Sequence, residues 1–331
     1  MRPRRLFGRT GDRSRGTPAR IAPVSSPLDL GRFVQRRQLR GYEQDLARGS
    51  YAYGVDLRRF QWLSQSLAAQ TAMRALELRW SEHATSLMTA GDLQYPEGAE
   101  SLPILQELIG IAELLRAGLP GIRFVSAKAR ASGMWPLVAP LSNSRGGDAW
   151  LVLDHDRLQA EAPEVRAFFL AQGLAHLQCG HGGLFMAHLM SARDRVTHGL
   201  VRALLRSWSQ VAVFSADRAG LLAAGELEPA LLALDRRGRP QPDWLPTFSP
   251  RAERERALRE FERSRVVARI RSQQRHRRER IPPEEIVAAL ESGEVPGAAA
   301  QPADAPAAEV PADAWPLARC DQRLTTRLRL L

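Results

Sequence analysis

Two stretches with helical spacing constrain most strongly what this chain can fold into. The first covers 163–181, where apolar side chains recur at spacings of three and four, and Pro163 suits the first position of a helix. The second covers 207–222, where Val213 and Asp217 fall one turn apart and therefore share a face. We expect two helices around which the rest of the chain is organised.

The residues of these two stretches carry a motif pair. The first reads QGLAHLQCGH from Gln172 to His181, and the second reads VFSADRAG from Val213 to Gly220. The pair resembles the M forty-eight family of zinc metallopeptidases, the HtpX and CAAX-prenyl-protease type, whose patterns are H-E-x-x-H-(I/L)-x-x-G-H and E-(L/Y)-x-A-D-R-(A/F)-G. The resemblance covers about 100–250. It implies an α+β, mostly helical fold, with a zincin-like peptidase core, a small β-sheet and the motif helix pair.

The catalytic half of the motif is largely absent. Such a peptidase needs two histidines four residues apart and a later Glu as zinc ligands, with a Glu beside the first histidine as general base. By the resemblance, the first ligand is replaced by Gln172, the base by Gly173 and the third ligand by Val213. His176 alone remains, as a remnant metal ligand. We therefore expect a pseudopeptidase that binds a peptide or protein in the inherited groove without cleaving it, and no cofactor.

A hydrogen bond between the two helices is also expected. In the resemblance, Asp217 orients the imidazole at the position where this chain has Gln172. A side-chain amide can donate to a carboxylate as an imidazole does. The sequence therefore predicts a Gln172–Asp217 hydrogen bond that keeps the helices in register.

Three alternatives stay open. An active, metal-dependent endopeptidase would need a rearranged metal site, for which His176, His181 and His188 are the candidates. Cys179 and His176 could form a nucleophilic pair, although Cys179 is more simply a small buried residue. The third alternative is an interaction module for nucleic acid or anionic surfaces. The missing ligands favour a protein that is not an enzyme.

The positive charge of the chain lies at its ends. The formal net charge is +11, with eleven Arg against two Asp in 1–41 and twelve Arg against five Glu in 251–280. Residues 281–331 hold four Arg against eight acids, so the span 42–250 is close to neutral, about −1, and only the Arg-rich ends suit nucleic acid or an anionic surface. Nearly all basic residues are Arg and Ala is abundant, which is typical of a GC-rich bacterial genome.

The composition predicts four parts. They are a disordered basic arm (1–27), a zincin-like domain (28–250), a basic helix that closes it (251–280) and an acidic, Ala- and Pro-rich linker and tail (281–331). The two cysteines, Cys179 and Cys320, form no disulfide framework. We find neither a signal peptide nor an apolar run long enough to span a membrane, and so expect a cytoplasmic protein.

The local patterns give the order of the elements. Predicted helices cover 28–49, 54–90, 101–118, 199–224, 226–234 and 251–280, and predicted strands cover 122–126 and 149–153, with a loop at 142–148. The resemblance implies that 149–153 is an edge strand that holds a substrate backbone by strand addition. The last residues are expected to dock as a strand or to form a short tail.

Overall fold

The structure is a computed structural model that describes residues 43–142, 149–192, 194–236, 242–280 and 310–328. The described residues belong to one compact unit, Gly41–Leu331. The predicted arm (1–27), the first part of the predicted helix at 28–49, almost all of the loop at 142–148 and most of the predicted linker lie outside the described residues.

Thirteen helices and four strands are named here in chain order. The helices are α1 (43–51), α2 (Gly54–Gln65), α3 (Leu67–Thr89), α4 (Leu102–Leu115), α5 (Ala127–Ala131), α6 (His155–Gln159), α7 (Pro163–Gln178), α8 (Gly182–Ser191), α9 (Arg195–Ala224), α10 (Leu227–Arg236), α11 (Arg251–Glu262), α12 (Arg265–Arg280) and α13 (Leu317–Leu328). The strands are β1 (Leu93–Gln94), β2 (Gly121–Val125), β3 (Val138–Leu141) and β4 (Trp150–Leu153). The prediction of a mostly helical α+β fold is confirmed.

The four strands form one mixed sheet in the order β1-β2-β4-β3. Strand β4 runs parallel to β2 and antiparallel to β3, so it lies inside the sheet. The prediction that 149–153 is an edge strand is therefore wrong, because β3 covers that side. The sequence hid β3 because Pro140 interrupts a run of only four residues. Proline lacks a ladder donor and is tolerated at sheet edges, which is where Pro140 lies.

Helix α7 is the centre of the fold, and its residues 168–176 are all buried. A Cβ atom at Gly173 would lie 2.5 Å from Val138 Cγ1 and 2.6 Å from Leu151 Cδ1, so α7 packs directly on β3 and β4. On α9, a Cβ atom at Gly220 would lie 2.6 Å from the Phe168 ring. These two glycines let α7 lie between the sheet and α9, as expected for a helix without a solvent face.

The predicted helix at 251–280 is two helices, α11 and α12, because the segment around Trp315 pairs with the backbone between them. The backbone N–H of Trp315 donates to Arg263 (2.7 Å), and the N–H of Arg265 donates to Trp315 (2.8 Å). Sequence periodicity misses such a break because the partner lies about fifty residues away. The predicted helix at 54–90 is likewise divided, at Ser66.

Of the last residues, expected to form a strand or a short tail, 323–328 are described, and they are helical. They belong to α13, whose Cys320 and Leu324 are buried against α2 and α11. The last residues alternate between polar and apolar, which is typical of a strand. Leu317, Leu324 and Leu328, however, recur at helical spacing, and the structure follows that pattern. Among the described residues, no helix is both long enough and apolar enough to cross a membrane.

Candidate functional site

The predicted hydrogen bond between the motif helices is confirmed. Gln172 Nε2, on α7, donates to Asp217 Oδ1, on α9, and both side chains are buried. Arg254 of α11 binds the same carboxylate with two further bonds, from Nε to Oδ2 (2.7 Å) and from Nη2 to Oδ1 (2.6 Å). Asp217 is therefore neutralised by a bidentate guanidinium.

Arg254 was missed at the sequence level, although a signal existed. It lies four residues before Leu258 and seven before Phe261, both buried, so it occupies the apolar face of α11. An Arg on such a face needs a buried anion as its partner.

The contacts between α7 and α9 fix the position opposite His176. Phe168 packs on Gly220, and one turn later on α7 Gln172 meets Asp217, so the helices run antiparallel. The next pair in this register is His176 and Val213. Val213 is fully buried in an apolar cluster, so core packing occupies the third ligand position.

The general-base position is also filled. Val138 and Leu151 occupy the volume that a side chain at Gly173 would need, at the distances given above. A glutamate there would have to displace two residues of the sheet core. Position 173 therefore offers neither a carboxylate nor space for one.

His176 lies among aromatic rings. Its ring centroid is 4.9 Å from that of Phe185 and 5.9 Å from that of Phe248, with the latter ring stacked at 23°. Its Nδ1 lies 2.9 Å from Nδ1 of His181, within hydrogen-bond distance. One ring nitrogen of the remnant ligand is therefore engaged by a second histidine.

His181 in turn reaches a buried carboxylate on α2. Its Nε2 lies 3.0 Å from Asp56 Oδ1, which also accepts from Trp208 Nε1 at 3.1 Å. Asp56 Oδ2 accepts from Ser215 Oγ at 2.5 Å. Nothing in the sequence singled out Asp56, because an aspartate in the first turn of a helix is ordinary and His181 is 125 positions away.

The rebuilt metal site of His176, His181 and His188 is not formed. His188 is buried beside His198, with ring centroids 5.9 Å apart. Burial, then the neighbouring His198 and Arg202, lower the pKa of His188 to about 4. Within the described ranges, the group at metal-ligand distance excludes both His176 and His188.

Cys179 is not an activated nucleophile. It is fully buried, and burial followed by the nearby Asp56 carboxylate raises the pKa of its thiol well above the usual range. The thiolate is the nucleophilic form, so a protonated thiol does not attack. The simpler prediction, that Cys179 is a small buried residue, is confirmed.

A cleft lies beside the site, between α7 and the edge strand. Gln172, Gly173 and His176 line one wall, and Val138 and Pro140 of β3 line another. The cleft is narrow and partly open to solvent.

Comparison with known proteins gave no match: no protein-family model, no curated protein and no solved structure matches this chain.

Proposed function

We propose that this chain is a zincin-like pseudopeptidase that binds an extended peptide or protein segment in the cleft without cleaving it. One observation carries the proposal. The helix pair that matches the peptidase motif is held together by Gln172, Asp217 and Arg254, with no part left for a metal in that contact. The cleft beside it is nevertheless retained.

The absence of cleavage follows from the residues at the site. Peptide hydrolysis by this chemistry needs a carboxylate base and a metal-activated water. Gly173 supplies no base, and Val213 supplies no ligand opposite His176. The protein can still bind a peptide, since binding needs only the walls of the cleft and not the catalytic groups.

Among the described residues, no strand pairs with the far side of β3, which supports binding of an extended backbone there. Asp154 N–H donates to Leu137 C=O (2.9 Å), so Leu137 faces β4. Antiparallel strands alternate, so the backbone groups of Val138 and Pro140 face away from β4. Val138, which is only partly buried, therefore offers one N–H and one carbonyl group to an added strand, and the buried Pro140, which has no N–H, limits the pairing to a short segment.

Two arginines of the cleft favour a peptide with an acidic residue. Arg157 lies 3.4 Å from Asp154, and Arg236 lies 3.5 Å from Glu161, at the long end of ion pairing. Both guanidinium groups are partly exposed and line the cleft. A carboxylate of the bound peptide can therefore be attracted without displacing a short, buried ion pair.

A random peptide library tests the proposal. We expect the full-length protein to enrich acidic peptides and leave them intact. Arg236→Glu should weaken the binding of enriched peptides about tenfold, as a reversed charge in a binding site does. Arg259→Glu is the matched control, because Arg259 is similarly exposed (52% against 47%) and pairs with Glu255 outside the cleft.

Two outcomes would overturn the proposal. The first is EDTA-sensitive cleavage of the enriched peptides or of casein that is lost in His176→Ala, which would establish an active peptidase. The second is equal loss of binding in Arg236→Glu and Arg259→Glu, which would place binding outside the cleft.

A cytoplasmic location belongs to the same proposal. Cys179 and Cys320 are both free and buried, as is usual in a reducing compartment. The interaction module through the Arg-rich ends stays a prediction, because residues 1–42 and the side chains of 274–280 lie outside the described residues.

A further inference from the structure

Three buried side chains with different ligand atoms meet below the cleft. Asp56, Cys179 and His181 each offer one ligand atom, and these atoms all lie within 4.8 Å of one another. All three residues are fully buried. Asp56 comes from α2, whereas Cys179 and His181 flank the turn between α7 and α8.

The Asp56 carboxylate of this cluster has no Arg or Lys as an ion-pair partner among the described residues. Its ion-pair partner there is His181. Its other partners, Trp208 and Ser215, are neutral donors. A carboxylate removed from water needs a compensating positive charge as well as hydrogen bonds.

We propose that Asp56, Cys179 and His181 bind a structural zinc ion. One carboxylate and one thiolate carry two negative charges, which a divalent cation neutralises. A set of one sulfur, one nitrogen and one oxygen suits zinc, and would fill three of its four positions. On binding, the ion replaces the thiol proton of Cys179, which is released to solvent, and takes the place of the Asp56–His181 contact. His181 would then be neutral and carry its one ring proton on Nδ1, facing His176, so that Nε2 is free to ligate.

The surroundings of His181 fit this role. A ligating imidazole usually bonds a second group through its other ring nitrogen, which fixes the orientation of the ring. Nδ1 of His181 lies 2.9 Å from Nδ1 of His176, so Nε2 is the nitrogen on the side of Asp56. His176 would thus hold the His181 ring in place by a hydrogen bond without touching the ion itself.

The ion would tie distant parts of the chain together. Asp56 and His181 are 125 positions apart, and Asp56 also anchors Trp208 and Ser215 of α9. Zinc bound here would therefore stabilise the packing of α2 on the motif helices, independently of any peptide.

Metal content of the full-length protein, expressed with added zinc sulfate and purified without chelator, tests the site. We expect about one zinc ion per chain, held by these three protein ligands. Cys179→Ser and Asp56→Asn should lose the ion. Cys320→Ser is the matched control, since it removes the other buried thiol and should keep it.

A second measurement does not depend on any variant folding. Alkylation of the wild-type protein in mild denaturant, read by peptide mass spectrometry, compares Cys179 with Cys320. Added zinc should slow the reaction at Cys179 well over tenfold relative to Cys320, and a chelator should reverse this. Equal protection of the two thiols, or none, would overturn the site.

The zinc measurements and the peptide-binding measurements can fail independently of each other. Zinc that is retained in Cys179→Ser and lost in His176→Ala would place the ion at the cleft and overturn this inference. A protein without zinc that still binds peptides would overturn the zinc site alone.

Discussion

Two buried aspartates beside α9 are stabilised in different ways. Asp217 receives two bonds from Arg254 and one from Gln172. Asp56 is bonded by His181, Trp208 and Ser215. Both carboxylates are fully buried. The first has a partner that is always charged, whereas the second depends on an imidazole or on a metal ion.

Because of this difference, Asp217 belongs to a fixed structural contact, whereas Asp56 belongs to a site that can bind a metal ion. The Arg254–Asp217 pair contains its own counter-charge, so it can hold the motif helices without a ligand. The proposed zinc ion would change the surroundings of Asp56. The fixed contact therefore lies where the resemblance implies zinc, and the proposed ligands Cys179 and His181 lie further along the chain, after the end of α7.

The largest expected effect comes from breaking the fixed pair. Arg254→Met leaves Asp217 charged and buried, so we expect the free energy of unfolding to fall by about 3–5 kcal/mol in urea denaturation. Adding Asp217→Asn should recover part of this loss, because the uncompensated charge is removed. A fall below about 1 kcal/mol for Arg254→Met would mean that the pair does not hold the helices.

His188 extends the comparison to a buried base. Within the described residues, neither of its ring nitrogens has a hydrogen-bond partner. Its pKa is lowered from 6.5 to about 4, so the unfolded chain takes up the proton first as the pH falls. Stability should therefore decline between pH 6.5 and 4, by about 3 kcal/mol from this group. In His188→Leu that part of the decline should be absent from urea unfolding measured across this range, and an unchanged decline would contradict the assignment.

A substitution at Gly173 tests whether the sheet leaves no space for a side chain at the position that the resemblance assigns to the general base. Gly173→Ala puts a methyl group against Val138 and Leu151, and we expect a loss of about 1–3 kcal/mol. Gly110→Ala is the matched control, because Gly110 also lies inside a helix but has open space, so alanine should gain up to about 1 kcal/mol. If both variants gain stability in thermal unfolding, the close contact between α7 and the sheet is wrong.

The smallest expected effect compares one neutral donor at each aspartate. Gln172→Ala should lose about 1 kcal/mol, because Arg254 still neutralises Asp217. Ser215→Ala should lose about 2 kcal/mol, because Asp56 then keeps only Trp208 and His181. Urea denaturation of both variants gives the difference. A larger loss in Gln172→Ala would reverse the comparison.

The local part of this account could be predicted from the sequence. The helix pair and the Gln172–Asp217 bond follow from residue spacing together with a motif resemblance. Arg254 and Asp56 could not be assigned, because their partners are fixed by packing between helices that are far apart in the chain. Strand β3 was hidden by Pro140 and its short length. The docking of α13 depends on tertiary contacts that periodicity does not contain.

The most direct test restores the missing ligands. In the double variant Gln172→His, Val213→Glu, the new imidazole can bond Asp217, and the new carboxylate lies in register with His176. We expect the variant to bind one zinc ion more per chain than the wild type, as measured by elemental analysis, and to lose that ion when His176→Ala is added. A folded double variant that gains no zinc would contradict the claim that α7 and α9 retain the frame of a zinc peptidase.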